Sequence, residues 1–189
     1  VDAEYVYPAS AIKPLLAAAS LIWLGRLATQ HGVALDAQTP LAPCLEGDRD
    51  CRALGDPTNL RGGTLCVGHE IRKLLLVSDN DAFARLYDLV GQRGLNELLW
   101  ELGLSSVRLH HRIGESSEAG RSSPGVDLVV GSGARIHVAR RHNDVALPPT
   151  AASRLEVGRA HIDGQGRLLD QPLSFAHKNY ASLVDLQDL

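Results

Sequence analysis

The sequence predicts a mainly α-helical fold with small β-hairpins, and three observations carry that expectation. Apolar residues recur at helical spacing through much of the chain up to Leu104. Glycine and proline punctuate those runs rather than interrupt them. Beyond Leu104 the leucine and alanine texture gives way to Gly, Ser, Arg and His, with short alternating runs around glycine turns. The 189 residues, 44% hydrophobic and 22% charged, suffice to bury a core and suit one domain, or one domain plus part of another. A net charge of -3 offers no basic stripe, so nucleic acid and anionic membrane surfaces are set aside as partners.

The elements follow in chain order. After an extended segment over residues 4–7, Pro8 and Ala9 lead into Ser10, and an apolar stripe through Ile12, Leu15, Leu16, Ala19, Ile22 and Trp23 predicts a helix. Pro14 falls near the first turn, where a missing N–H costs little, and Gly32 is its expected C-cap. Residues 33–63, with Pro40, Pro43 and Pro57, show no period and read as loop; 64–67 read as a short strand. Helical spacing resumes over 69–76, breaks at Ser78-Asp79-Asn80 and returns over 82–90. Gly91 and Gly94 are expected to separate that helix from another over 95–102, closed by Gly103.

Further on, 126–130 and 134–139 flank Gly131-Ser132-Gly133 as one hairpin, and 157–162 and 167–169 flank Gly164-Gln165-Gly166 as a second. Ser182-Leu183-Val184-Asp185 is a capping-box variant that opens an apolar helix running to Leu189. The expected organisation is a helical core over 1–104, then an irregular, hairpin-bearing segment over 105–189 that returns to a helix of the same domain. A start at Val1 without Met and a helix reaching the last residue lead to the expectation of a truncated chain. No apolar run is expected to approach the roughly 18 residues of a membrane span.

Cys44 and Cys51 flank a polar stretch short enough for a local disulfide, which points to an oxidising compartment. Cys66, in an apolar stretch, reads as a buried thiol. A metal site built on the three cysteines lacks a C-x-x-C pair. Neither His110-His111 nor His137 with His142 places ligands on one face, so no metal is expected. Arg140-Arg141 reads as an exposed strand end.

Two motifs carry chemistry. Ser10-Ala11-Ile12-Lys13 places a hydroxyl at a helix N-terminus and an amine one turn later on the same face. A serine hydroxyl is a weak nucleophile until a base takes its proton, and a lysine serves when burial or neighbours lower its pKa. The helix N-terminus favours developing negative charge, and the Ser10 N–H is a candidate oxyanion donor. Alone, the motif also fits a plain N-cap. Ser78-Asp79-Asn80 lies between two helical runs, and all three residue types cap helices too. Their order and context, S-x-x-K and then S-D-N on a helix-to-helix turn, form the pattern of serine β-lactamases and penicillin-binding proteins.

Around those motifs, Tyr5 to Lys13, Glu70 to Tyr87 and Gly94 to Gly103 resemble the nucleophile helix and central helices of the class A β-lactamase enzyme family. The likeness extends over roughly the first 110 residues and is nearer to secreted serine hydrolases than to the resistance enzymes. It implies the helical domain of the β-lactamase/transpeptidase-like α+β fold, with the flanking sheet domain largely missing. It makes Ser10 the acylated nucleophile, Lys13 its proton acceptor, Ser78 the relay to the leaving nitrogen, and Asn80 a ligand of the substrate amide that also orients Lys13. Asp79 would fasten the turn. The implied partner is a β-lactam or peptidoglycan-like peptide, without cofactor or metal, in the periplasm or outside the cell.

The sequence departs from the family pattern at two points. The nearest match to the K-T-G motif, Lys178-Asn179-Tyr180, precedes a capped helix and differs at two positions, so K-T-G is expected outside this chain. Among Glu115, Glu118, Asp127, Asp144, Glu156, Asp163 and Asp170, none sits in the E-x-x-L-N setting of a deacylating glutamate. Three functions therefore stay open: a β-lactam hydrolase, a D-alanyl peptidase or esterase of penicillin-binding type, and a non-catalytic binder of cell-wall peptides. The isolated chain is expected to be inactive and to expose an apolar face that invites association.

Overall fold

The computed structural model describes residues 7–44, 50–131, 133–150 and 152–188. The expected extension over 4–6, turn residue Ser132 and the end of the last helix at Leu189 lie outside these residues.

A 3₁₀ turn, Ala9–Ile12, runs directly into the first helix, α1 (Lys13–His31). Pro14 occupies its second position, where no intrahelical donor is lost. Ile12, Leu15, Leu16, Ala19 and Leu24 are buried along one face. Gly32 ends the helix in the left-handed conformation, φ 62°, and its N–H is donated to Ala28 and Thr29 carbonyls. Contrary to expectation, Ala9–His31 is long and apolar enough, by length and composition, to cross a membrane. Its alanines and leucines raise the mean hydropathy although Lys13 and Arg26 break the run; here its apolar face packs on the other helices.

Three further helices complete a bundle around α1: α2 (Val67–Leu76), α3 (Asn80–Val90) and α4 (Gln92–Glu101). Phe83, Leu86, Tyr87, Leu95 and Leu99 are fully buried in one cluster with Leu15, Leu16, Leu109 and Leu128. Each such side chain contributes roughly 1.5–3 kcal/mol of burial. Gly91 alone separates α3 from α4, at φ 83°, whereas Gly94 lies inside α4 instead of between helices. Residues 64–67 form no strand: Thr64 and Cys66 make isolated bridges to Gly55 and Pro40, and Cys66 caps α2.

The stretch 33–63 holds a strand the sequence concealed, β1 (Leu41–Pro43). It pairs with β3 (Val126–Val130), which pairs in turn with β4 (Ala134–Val138), all antiparallel, in the order β1-β3-β4. Pro43 is tolerated because β1 is an edge strand and a ladder donor is dispensable there. Two-residue strands make the remaining pairs: β2 (Ser122–Ser123) with β5 (Arg141–His142), β6 (Glu156–Val157) with β9 (Leu173–Ser174), and β7 (His161–Ile162) with β8 (Leu168–Leu169). Two short helices, α5 (Ser117–Gly120) and α6 (Leu183–Gln187), complete the described elements. The Ser182 hydroxyl caps α6 by accepting from the Asp185 N–H.

Among the described residues, six helices and small antiparallel sheets fit a partial α+β fold. Helix predominates up to Glu101, and short strands and turns follow. Arg141 is no bare strand end: its guanidinium donates to the Asp88, Leu89 and Val90 carbonyls at the C-terminus of α3, satisfying acceptors that a helix end leaves open.

Candidate active site

The junction of the 3₁₀ turn with α1 places Ser10 at the surface and Lys13 almost wholly inside, 2% exposed. Across from them, the α2–α3 junction carries Ser78, Asp79 and Asn80. The turn is held at both ends: Val77 and Asp79 donate their N–H groups to the Lys73 carbonyl, and the Asp79 carboxylate accepts from the Ala82 N–H at 2.8 Å. Asp79 is thus the N-cap of α3, a position that short polar acceptors stabilise.

The four polar residues singled out in the sequence meet here. Lys13 Nζ donates to Ser78 Oγ at 2.9 Å, to Asn80 Oδ1 at 2.8 Å and to the Ser78 carbonyl. An ammonium has three donors, and all three are engaged. Ser78 Oγ in turn donates to Ser10 Oγ at 3.0 Å. The hydroxyl of Ser10 therefore reaches the amine of Lys13 through the hydroxyl of Ser78.

Two features of this arrangement had no counterpart in the sequence reading. Ala9 and Ser78 both adopt positive φ, 44° and 57°, although neither is glycine. Such backbone costs of order 1–3 kcal/mol per residue and clusters at functional sites. The second feature is a charged network behind the turn. Glu70, fully buried, pairs with Arg85 at 2.6 Å and lies 3.6 Å from Lys73; Lys73 also approaches Asp56 at 3.3 Å and Asp79 at 3.7 Å. The one signal available for it was Glu70 and Lys73 at i,i+3 on a helix.

Electrostatics set the protonation states. Burial lowers the Lys13 pKa below the ordinary amine value, partly opposed by the Asp79 charge, which raises it. For Asp79 burial works upward, but the Ala82 N–H and the charge of Lys73 outweigh it and hold the carboxyl below its usual range. Asp56 is held at about 2, chiefly by the Thr58 hydroxyl against the opposing effect of burial, with help from Lys73.

The acidic residues weighed as deacylating groups have partners elsewhere in several cases. Glu115 pairs with Arg112 at 2.7 Å, Glu118 with Arg121 at 3.0 Å, Asp127 with Arg135 and His137, and Asp163 with Arg167. Asn179, the middle residue of the K-T-G look-alike, clamps backbone: its Oδ1 accepts from the N–H groups of His110 and His111, and its Nδ2 donates to the His111 carbonyl. His110 and His111 are themselves buried. A cavity of about 530 Å³ adjoins the turn at Val77 and Asp79 and is lined also by Leu60, Leu76 and Lys73.

A disulfide joins Cys44 to Cys51, and Cys66 is a buried free thiol. Beside the disulfide stand Asp127 and His137. The possible ligand atoms of these four residues all lie within 4.8 Å of one another, the one such group among the described residues.

Among curated proteins and among solved structures, no match was found. The model of the Beta-lactamase enzyme family, however, matches residues 2–137, a span that contains both chemistry-bearing motifs, the whole helix bundle and the β1-β3-β4 sheet almost to its end. With well over half of its length inside that match, the chain belongs to the Beta-lactamase enzyme family.

Proposed function

We propose that the chain carries the acylation machinery of a β-lactamase-like serine hydrolase. The hydrogen-bonded series Ser10–Ser78–Lys13, with Asn80 beside the amine, is the observation that supports this reading most. Lys13 in its neutral form accepts a proton from Ser78 while Ser78 accepts the proton of Ser10; both hydrogen bonds then run opposite to the ammonium state. The Ser10 oxygen attacks the carbonyl carbon of a β-lactam or related amide or ester. The oxyanion gathers at the positive N-terminal end of the helix, where first-turn N–H groups lack intrahelical acceptors. The Lys13 ammonium returns its proton through Ser78 to the leaving nitrogen as the C–N bond breaks, or to the leaving oxygen of an ester as its C–O bond breaks. An acyl ester remains on Ser10, and water completes the cycle. Asn80 positions Lys13 and is available to the substrate amide.

A second reading, a D-alanyl peptidase or esterase of penicillin-binding type, is favoured by one observation. Glu115, Glu118, Asp127 and Asp163, four of the seven acidic residues weighed for water activation, are each engaged in ion pairs, and a protein without such an activating group would keep its acyl ester for long. The Cys44–Cys51 disulfide supports a periplasmic or secreted location, since such bonds persist in oxidising compartments.

The test is labelling by a fluorescent penicillin of the protein expressed from its own gene, with Ser10→Ala alongside. Label on Ser10 that is released within minutes supports β-lactam hydrolysis, and retained label supports the penicillin-binding reading. A protein that takes no label, or a Ser10→Ala variant that labels equally, overturns acyl transfer and leaves a binder of cell-wall peptides.

A further inference from the structure

We propose that Cys44, Cys51, Asp127 and His137 form a redox-gated site for a zinc-class divalent cation, closed by the disulfide when oxidised and opened by reduction. The site is separate from the serine cluster; its closed form is the oxidised state on which the location proposed above rests, and its open form requires a dithiol reductant.

The three-stranded sheet creates the site. Ala42, Asp127 and His137 are directly opposite one another across β1, β3 and β4, so their side chains share one face. Cys44 is two residues beyond Ala42, and the twofold period of an extended chain returns it to that face. The opposite face carries Leu41, Leu128 and Ile136, whereas the ligand face holds Ala42, Cys44 and Asp127 in buried positions and opens to solvent at His137. Cys51 joins it through its bridge to Cys44. The candidate ligand atoms lie within 4.8 Å of one another. Tetrahedral zinc, with Zn–S of about 2.3 Å and Zn–N or Zn–O of about 2.0–2.2 Å, holds its ligand atoms roughly 3.3–3.8 Å apart, so side-chain rotations must part the two sulfurs once reduction frees them, open the 2.7 Å contact of His137 with Asp127, and draw in any pair nearer the 4.8 Å limit.

The chemistry of the four groups is selective. Two thiolates and an imidazole favour zinc over calcium or magnesium, which prefer oxygen. His137 Nδ1 and Asp127 Oδ1 are 2.7 Å apart, a contact in which a metal ion can take the place of the shared proton. Two thiolates, one carboxylate and a dication leave one negative charge. Arg135 supplies the balancing positive charge, donating to Asp127 Oδ2 at 3.0 Å and to the Cys51 carbonyl at 2.8 Å, which also fixes the carboxylate. Asp127 is buried, so its charge is not left to solvent.

An external dithiol reduces the Cys44–Cys51 bond by thiol–disulfide exchange: the dithiol gives up two electrons and two protons and becomes a disulfide, while the protein gains two thiols. Metal binding then releases one proton from each thiol.

Cobalt(II), a spectroscopic stand-in for zinc, provides the test on the 189-residue chain. The chain reduced under a phosphine is expected to take up one equivalent and to show the thiolate-to-metal and tetrahedral d–d absorption bands, displaced by zinc; the oxidised chain is expected to show neither. His137→Ala, at an exposed position, is expected to weaken binding by about tenfold or more, and Asp127→Asn likewise, whereas Cys66→Ser leaves it unchanged. Circular dichroism reports whether each reduced protein is folded. A reduced chain that binds no cobalt, folded or unfolded, overturns the proposal. Binding that survives both the His137 and Asp127 substitutions, or that vanishes with Cys66→Ser, overturns it as well, because the cysteines would then be acting with other ligands.

Discussion

Lys13 sits between opposed demands. Burial favours its neutral form, whereas Asp79 and three acceptor contacts favour the ammonium, and the outcome is a pKa lowered from the usual amine value. If Lys13 is the base, acylation rises with pH as the amine loses its proton. Asp79→Asn removes the charge that raises the Lys13 pKa but keeps a capping oxygen for Ala82, so the rising limb of the acylation profile is expected to move to lower pH while the fold holds. A limb that stays in place would show that a different group is titrating. Ser78 separates strain from chemistry in a second experiment. Ser78→Ala and Ser78→Gly both delete the relay hydroxyl and should slow penicillin labelling by about 10²–10⁴-fold. At φ 57°, however, glycine escapes the left-handed penalty that alanine keeps, so the Gly variant should be the more stable by roughly 1 kcal/mol in urea unfolding. Of this site, the four polar residues were legible because motif order and helical spacing are properties of sequence. The positive φ values and the passage from Ser10 to Lys13 through Ser78 were not, since both depend on how two junctions distant in the chain dock.

At the scale of elements, the same logic explains what could be read and what could not. Helices α1, α2 and α3 announced themselves through apolar periodicity and through caps such as Gly32 and Asp79, and the β3–β4 hairpin through its glycine turn. Strand β1 was hidden because three residues are too few for a period and Pro43 argues against pairing; only its place at a sheet edge makes it possible. Glycines were the least legible, because their reason lies in what surrounds them. Gly94 sits inside α4, and an added Cβ would meet only Val90 Cγ1 at 3.5 Å. At Gly120, in α5, the same atom would lie 2.2 Å from the His110 carbonyl oxygen and 2.7 Å from the His111 Cα, both backbone. Alanine substitution should therefore act with opposite signs. Gly94→Ala is expected to stabilise by roughly 0.5–1 kcal/mol through helix propensity, and Gly120→Ala to destabilise by about 1–3 kcal/mol or more through overpacking. Chemical denaturation of the two variants checks both, and equal effects would show that the His110 backbone does not confine α5.

Across the whole molecule, buried polar contacts tie the helix bundle to the segments that follow it. Arg112 donates to Asp88 on α3, to Glu115 and to the Ser122 carbonyl, with its guanidinium over the Tyr87 ring. Gln92 donates to the His110 carbonyl, Asn179 clamps the backbone of His110 and His111, and Asp185 of α6 accepts from the N–H and hydroxyl of Ser106. His110 lies at the centre of this join. Burial, followed by the neighbouring His177 and His111, lowers its pKa to about 4, and burial lowers that of His111 as well. Between pH 6.5 and 4 the unfolded chain therefore binds a proton at position 110 that the folded chain refuses. Its stability is present above the unfolded value and is lost as pH falls through that window, by on the order of 2 kcal/mol near pH 4.5. Asp56, held at about 2, loses its contribution only below the ordinary carboxylate range, so the two effects occupy separate windows. Because His110 Nε2 is buried without a hydrogen-bond partner, His110→Leu removes the titrating group without orphaning another polar atom. Urea midpoints at pH 7 and pH 4.5 are expected to diverge for the native chain and to draw together for His110→Leu; an unchanged divergence would place the acid sensitivity in a group other than His110.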